Sequence, residues 1–222
     1  MTFYDRLLSQ TADARSGFLA MPIIGGALRG EVTRDLYLDF LTQAYHHVSH
    51  TCPLLALAAS RTRDLAYRNA LLTYLDEERG HELWILEDVG HVGGDPDATV
   101  KKTPSAACRA MVAYAYYTIR AVSPYGLLGM VHVLEGMSVQ LAEKIAAVIQ
   151  RNFGLESDKG VRYLRSHGAI DAHHVEFFRA LVNSIDEAAE NIIVDSANMF
   201  YRLYGDIFRE LTALHHEATH AR

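Results

Sequence analysis

Of the 222 residues, half are hydrophobic and 22% charged, the profile of a globular chain with ample material for a core. The formal net charge is −6, with 21 Lys+Arg spread along the chain against 27 Asp+Glu, so neither nucleic acid nor an anionic membrane surface is an expected partner. No run reaches the ~20 apolar residues of a membrane span, the start MTFYDRLLSQ lacks a signal-peptide apolar stretch, and Cys52 and Cys108 make no CxxC, which excludes a disulfide scaffold or a cysteine zinc site and predicts a cytoplasmic protein.

The apolar spacing is helical throughout, and five prolines and several glycines punctuate it. A first helix is predicted from Thr2 to Ala20, ended by Met21-Pro22 and the Gly25-Gly26 turn. A second runs from the N-cap Thr33 to about Ala59, bent at Pro53. The third spans Arg63 to His91 and stops at Gly93-Gly94. After a loop through Pro96 and Pro104, a fourth covers Ser105 to Val122. Ser123-Pro124 opens a long fifth helix, closed by Phe153-Gly154. The sixth reaches from Lys159-Gly160 to Ser184, and the last begins at Asp186. With no strand, linker or repeat in the pattern, the expectation is one all-α domain over 1–222, a bundle of about seven helices.

The 12 histidines raise the question of a nitrogen-and-oxygen metal site. On helices such a site needs ligands three, four or seven apart, because only those spacings share a face. Composition alone predicts roughly one and a half acid-x-x-His pairs. There are four: Glu78/His81, Asp88/His91, Asp171/His174 and Glu217/His220. The sharpest feature is His167, Asp171 and His174, H-x3-D-x2-H in HGAIDAHHVEFF. At about 100° per residue they fall within a stripe some 60° wide. Ile170, Phe177 and Phe178 nearby turn that face inward, so its ionisable groups must be paired with each other or bind a cation.

Glu78/His81, with Glu77 as an alternative partner, is either a ligand pair or a solvated acidic face. Glu135 stands alone in an apolar stretch and needs a ligand role or a buried ion pair, with His132 one turn before it as an available partner. Gly80, Gly136 and Gly168 each adjoin a candidate ligand; inside a helix such glycines cost about 1 kcal/mol, which tight helix approach or a softened helix explains. His46 and His50 are read as pocket-lining or structural, and Asp88/His91 as a helix C-terminus. Glu217/His220 lies in a polar tail, and Tyr114, Tyr116, Tyr117 and Tyr125 read as core. No GxGxxG, GxxxxGK[ST] or GxSxG is present, so no nucleotide cofactor or serine nucleophile is indicated.

E-x-x-H, then an isolated Glu in an apolar helix, then H-x3-D-x2-H, in that order, resembles the haem-oxygenase-like diiron oxidases, also described as iron-containing redox enzymes or loosely as TenA-like proteins. The resemblance spans roughly residues 35 to 180. It implies a seven-helix haem-oxygenase-like fold, a homodimer, and a metal site built from Glu78, His81, Glu135, His167, Asp171 and His174. It further implies two Fe(II) ions per chain, and O2 and a small acid, amine or lipid-like substrate as partners, with C–C cleavage or hydroxylation as the reaction. Three imidazoles and three carboxylates suit iron, or manganese, better than zinc or calcium. Two divalent ions against three carboxylates leave the site nearly neutral. Two relatives on the same fold fit less well. Haem oxygenase needs a proximal His on its first helix, and the earliest His here is His46. TenA-type hydrolases carry a Cys-Pro nucleophile where this chain has Ser123-Pro124, no Glu replaces their acid near Tyr201–Tyr204, and Cys108 is the one substitute for the nucleophile. A metal-free binding protein is the third alternative.

Overall fold

The computed structural model describes the backbone of residues 1–220 and the side chains of all but 167–174 and 217–220. In chain order the helices are α1 (Phe3–Gln10), α2 (Ala12–Leu19), α3 (Pro22–Arg29), α4 (Arg34–Val48), α5 (Thr51–Arg61), α6 (Leu65–Glu78), α7 (His81–His91), α8 (Pro96–Lys101), α9 (Ala106–Tyr117), α10 (Leu127–Phe153), α11 (Arg162–Val182) and α12 (Glu187–His220). No strand occurs among the described residues. The all-α reading holds, with a finer division than seven.

Each extra division has a local cause. Thr11 donates its hydroxyl to the Leu7 carbonyl at 2.7 Å, a back-bond that bends a helix and here separates α1 from α2. Pro22 opens a helix as well as ending one: it is the first residue of α3, where its missing N–H costs nothing, and the Gly25-Gly26 pair lies inside that helix. The second predicted helix breaks at Ser49–His50, and Pro53 sits harmlessly in the first turn of α5. The third breaks at Arg79–Gly80, where Arg79 is extended and Gly80 takes φ 88°, a left-handed value that favours glycine. The Pro96 loop contains the short α8, capped by Asp95. At its C-terminal end α9 widens into a π-helical turn over Thr118–Val122.

Buried side chains form two clusters that meet on α10. One joins α10 to α1, α5, α6, α9 and α12 through residues such as Met130, Val133 and Met137. The other joins it to α4, α7 and α11 through Ala142, Ala146 and Ile149. The long α10 is thus the spine of the bundle, with α11 running along one side and α12 along another. At the α12 crossing the backbones touch: a Cβ on Gly129 would stand 2.5 Å from the Ala197 nitrogen. Glycine is therefore required there for close approach, not beside the candidate ligands.

Candidate metal centre

Glu78 is the last residue of α6 and His81 the first of α7, so the E-x-x-H pair straddles a helix break instead of sharing a helix face. The extended Arg79 and left-handed Gly80 turn the chain so that the two side chains still meet, His81 Nδ1 and Glu78 Oε2 sharing a hydrogen bond at 3.1 Å. Both are buried, at 2% and 5% exposure. Glu77 is exposed, so the inward carboxylate of the pair is Glu78. Trp84, one turn into α7, stacks on the His81 ring at 4.1 Å, and the Arg162 guanidinium covers the far side of Trp84 at 4.8 Å.

Glu135 lies in the middle of α10, 7% exposed. It and Glu78 border the same cavity of about 170 Å³, whose walls are otherwise mainly apolar. Among the described residues the other polar wall groups are His47, Thr51, Tyr74, Ser138, Tyr163 and Tyr204, along with Tyr37, with no lysine or arginine. Met137 also lines this space, and Phe177 borders a small adjoining cavity together with Glu135 and Tyr74. Among the described residues nothing lies within 4 Å of where a Gly136 Cβ would be. His132 turns elsewhere. Its Nε2 lies 3.3 Å from Thr11 Oγ1 and its ring stacks on Phe178 at 5.9 Å. Burial pushes its pKa down to about 4, so at neutral pH the ring is uncharged.

The side chains of His167, Asp171 and His174, and of Gly168 beside them, lie outside the described residues. Their helix does not. The backbone of α11 packs along α10 and also touches α7, the helices that carry Glu135 and His81. Leu164 on α11 borders the main cavity with Glu78 and Glu135, and Phe178 borders the small one with Glu135. Among the described residues alone, no three His, Cys, Asp or Glu side chains form a metal-holding group.

Asp88 has a structural role, but not at the C-terminus of its own helix. Completely buried on α7, it accepts the backbone N–H groups of Gly160, Arg162 and Tyr163 at 2.8–3.0 Å, so that it caps the start of α11. His91 bonds the Glu87 carbonyl at 2.7 Å. His50 shares a hydrogen bond with the Tyr116 hydroxyl at 3.0 Å, and His46 stacks edge-on against Tyr45. The histidine that reaches the cavity from α4 is His47, which sequence reasoning passed over. The signal was there: Phe40, His47 and Thr51, seven and four apart, all border the cavity.

Cys108 is 1% exposed, donates its thiol to the Gln43 carbonyl at 3.6 Å and does not border the cavity. Burial pushes its pKa up to about 11. Since the thiolate is the nucleophile, Cys108 is unsuited to replace the TenA cysteine.

Residues 38–205 match a family described as "Iron-containing redox enzyme". A 4-aminobenzoate synthase of Chlamydia trachomatis serovar D is 25% identical over 183 residues, 80% of this chain and 79% of that protein. A solved domain of unknown function with a heme oxygenase-like fold from Shewanella denitrificans OS217 superposes with a TM-score of 0.87 at 23% identity, covering 96% of this chain and 93% of that one. A TenA homolog from Pseudomonas syringae pv. tomato has a TM-score of 0.81 at 12% identity, covering 95% and 93%. At these identities the two structures establish the fold: a haem-oxygenase-like helical bundle.

Proposed function

The chain belongs to the iron-containing redox enzyme family, and from that premise we propose that it is a non-haem diiron oxidase or oxygenase. The oxidoreductase class and the use of iron follow from the family; the two-iron site, O2 as co-substrate and the reaction on a small acid, amine or lipid-like molecule are the proposal. Glu78, His81 and Glu135 hold one side of the cluster, and His167, Asp171 and His174 the other. The observation that carries it is the pair of buried carboxylates, Glu78 and Glu135, bordering one mainly apolar cavity, with the buried His81 imidazole hydrogen-bonded to Glu78. Carboxylates and an imidazole gathered at one buried site are a donor set that suits a divalent iron ion. The spacing of α11 supports the rest. Positions 164, 167, 171, 174 and 178 advance by three and four, so the triplet shares a stripe with Leu164 and Phe178, which border cavities that Glu135 also borders.

Bound iron supplies O2 activation and one-electron chemistry. The chain's own residues do the remainder. The Glu78–His81 hydrogen bond fixes the imidazole orientation, as such partners do at ligating histidines. Trp84 holds the ring from its face. The apolar wall keeps bulk water from the reacting atoms, and His47 and Tyr204 offer polar contacts to a substrate lying among apolar side chains. Burial raises the pKa of the Tyr204 hydroxyl well above the usual range, so it serves as a donor and not as a base. The similar 4-aminobenzoate synthase is consistent with an aromatic acid or amine within the substrate class.

Anaerobic Fe(II) titration of the purified protein tests the reading, with Mn(II) in parallel for the alternative ion. About two equivalents per chain are expected, with Glu135→Ala and His167→Ala each losing at least one. Uptake of one equivalent or less, or uptake indifferent to both substitutions, refutes the two-iron site.

A further inference from the structure

Glu135 also borders a second recess, of about 180 Å³, away from the apolar cavity's main chamber. Its polar walls come from three helices besides α10: Tyr4 on α1, Arg15 on α2 and Tyr201 on α12, facing His132, Glu135 and Gln140 on α10. Apolar side chains of α1, α10 and α11 complete it. Gly136 explains why the recess is open. A glycine inside a helix is unfavourable relative to alanine, and among the described residues a Cβ at Gly136 would meet nothing within 4 Å. What the absent side chain leaves is room in this recess, directly beside Glu135.

The charges in the recess are simple. Arg15 is half-buried and close enough to Tyr4, His132 and Tyr201 for its charge to be felt at all three. His132, with its pKa near 4, and Tyr201, pushed up to about 12, are both neutral at pH 7. Among the described lining residues that leaves the Arg15 guanidinium and, at the other end, Glu135. We propose that the recess is a binding site for a small monocarboxylate with an apolar body, the carboxylate held by the Arg15 guanidinium and the body lying toward Glu135. A guanidinium pairs a carboxylate one for one, with Tyr4 and Tyr201 as hydroxyl donors. The site stands on the recess itself and does not need the iron reading to hold.

Titration with phenylacetate and its neutral isostere phenylacetamide, followed by ligand NMR on the iron-loaded and the chelator-treated protein, tests it. Saturable phenylacetate binding, roughly tenfold tighter than the amide, is expected in both forms. Arg15→Gln should remove that preference, Arg15→Lys should keep part of it, and Gly136→Val should displace both probes while leaving the circular dichroism unchanged. Equal binding of acid and amide, or acid binding unaffected by Arg15→Gln, overturns the proposal. So does binding that requires iron and ignores Arg15→Gln, since the carboxylate is then on the metal. Binding retained by a protein that takes up no iron supports the recess and sinks the diiron reading, so the two fail separately.

Discussion

His132 illustrates how a residue three positions from Glu135 can be committed elsewhere. Its ring is buried against Phe178 and Tyr201 with Thr11 at its Nε2, and burial lowers its pKa from 6.5 to about 4. A base whose folded pKa is depressed binds fewer protons than the unfolded chain between the two values, so its contribution is intact above about pH 6.5 and is lost as pH falls toward 4. Its share of the acid-side loss is on the order of 3 kcal/mol. Denaturant midpoints measured between pH 7 and 4.5 should fall for the wild type, and fall less steeply for His132→Phe. A parallel fall in both proteins would place the acid sensitivity in other groups. Cys108 shows the complementary case: nothing in the local sequence distinguishes a buried thiol from a nucleophile, and only its burial and its bond to Gln43 decide.

Among the elements, α11 depends on its N-terminal anchor. Its first two amide groups, of Arg162 and Tyr163, and that of Gly160 just before it are taken by one carboxylate from another helix, Asp88, reinforced by the Tyr37 hydroxyl donating to the Gly160 carbonyl at 2.9 Å. Hydrogen bonds to a buried charge are among the strong ones, so Asp88→Ala should cost about 3 kcal/mol in chemical denaturation, and Asp88→Asn less. Because α11 carries the triplet, the same substitution should weaken Fe(II) uptake at unchanged pH. Full stability in Asp88→Ala would show the anchor to be dispensable. The acid-x-x-His spacing of Asp88/His91 places the pair at a helix C-terminus, as read from the sequence, but its carboxylate serves a partner 72 residues on, which no local spacing reveals.

At the scale of the molecule, helical periodicity was legible from end to end, and the long α10 and α12 follow it closely. The breaks were not, because helices also tolerate Thr and Gly inside them, and the apolar spacing does not encode the Thr11 back-bond or the left-handed turn at Gly80 that interrupt them. Glu135 was identifiable as an ionic group in an apolar setting and Glu78/His81 as either a ligand pair or a solvated acidic face, whereas His47 was passed over among three histidines within five residues. We propose in addition that the chain assembles as a homodimer. Light scattering on the eluting protein should give twice the mass of one chain, and a monomer at micromolar concentration would refute it. The break at Arg79–Gly80 has a mechanical consequence. α6 and α7 act as two levers meeting at a two-residue fulcrum, each gripping one donor by its tip. The backbone angles of two residues therefore set the separation of carboxylate and imidazole, which a continuous helix would hold at its own fixed pitch. The left-handed Gly80 is what keeps the fulcrum unstrained.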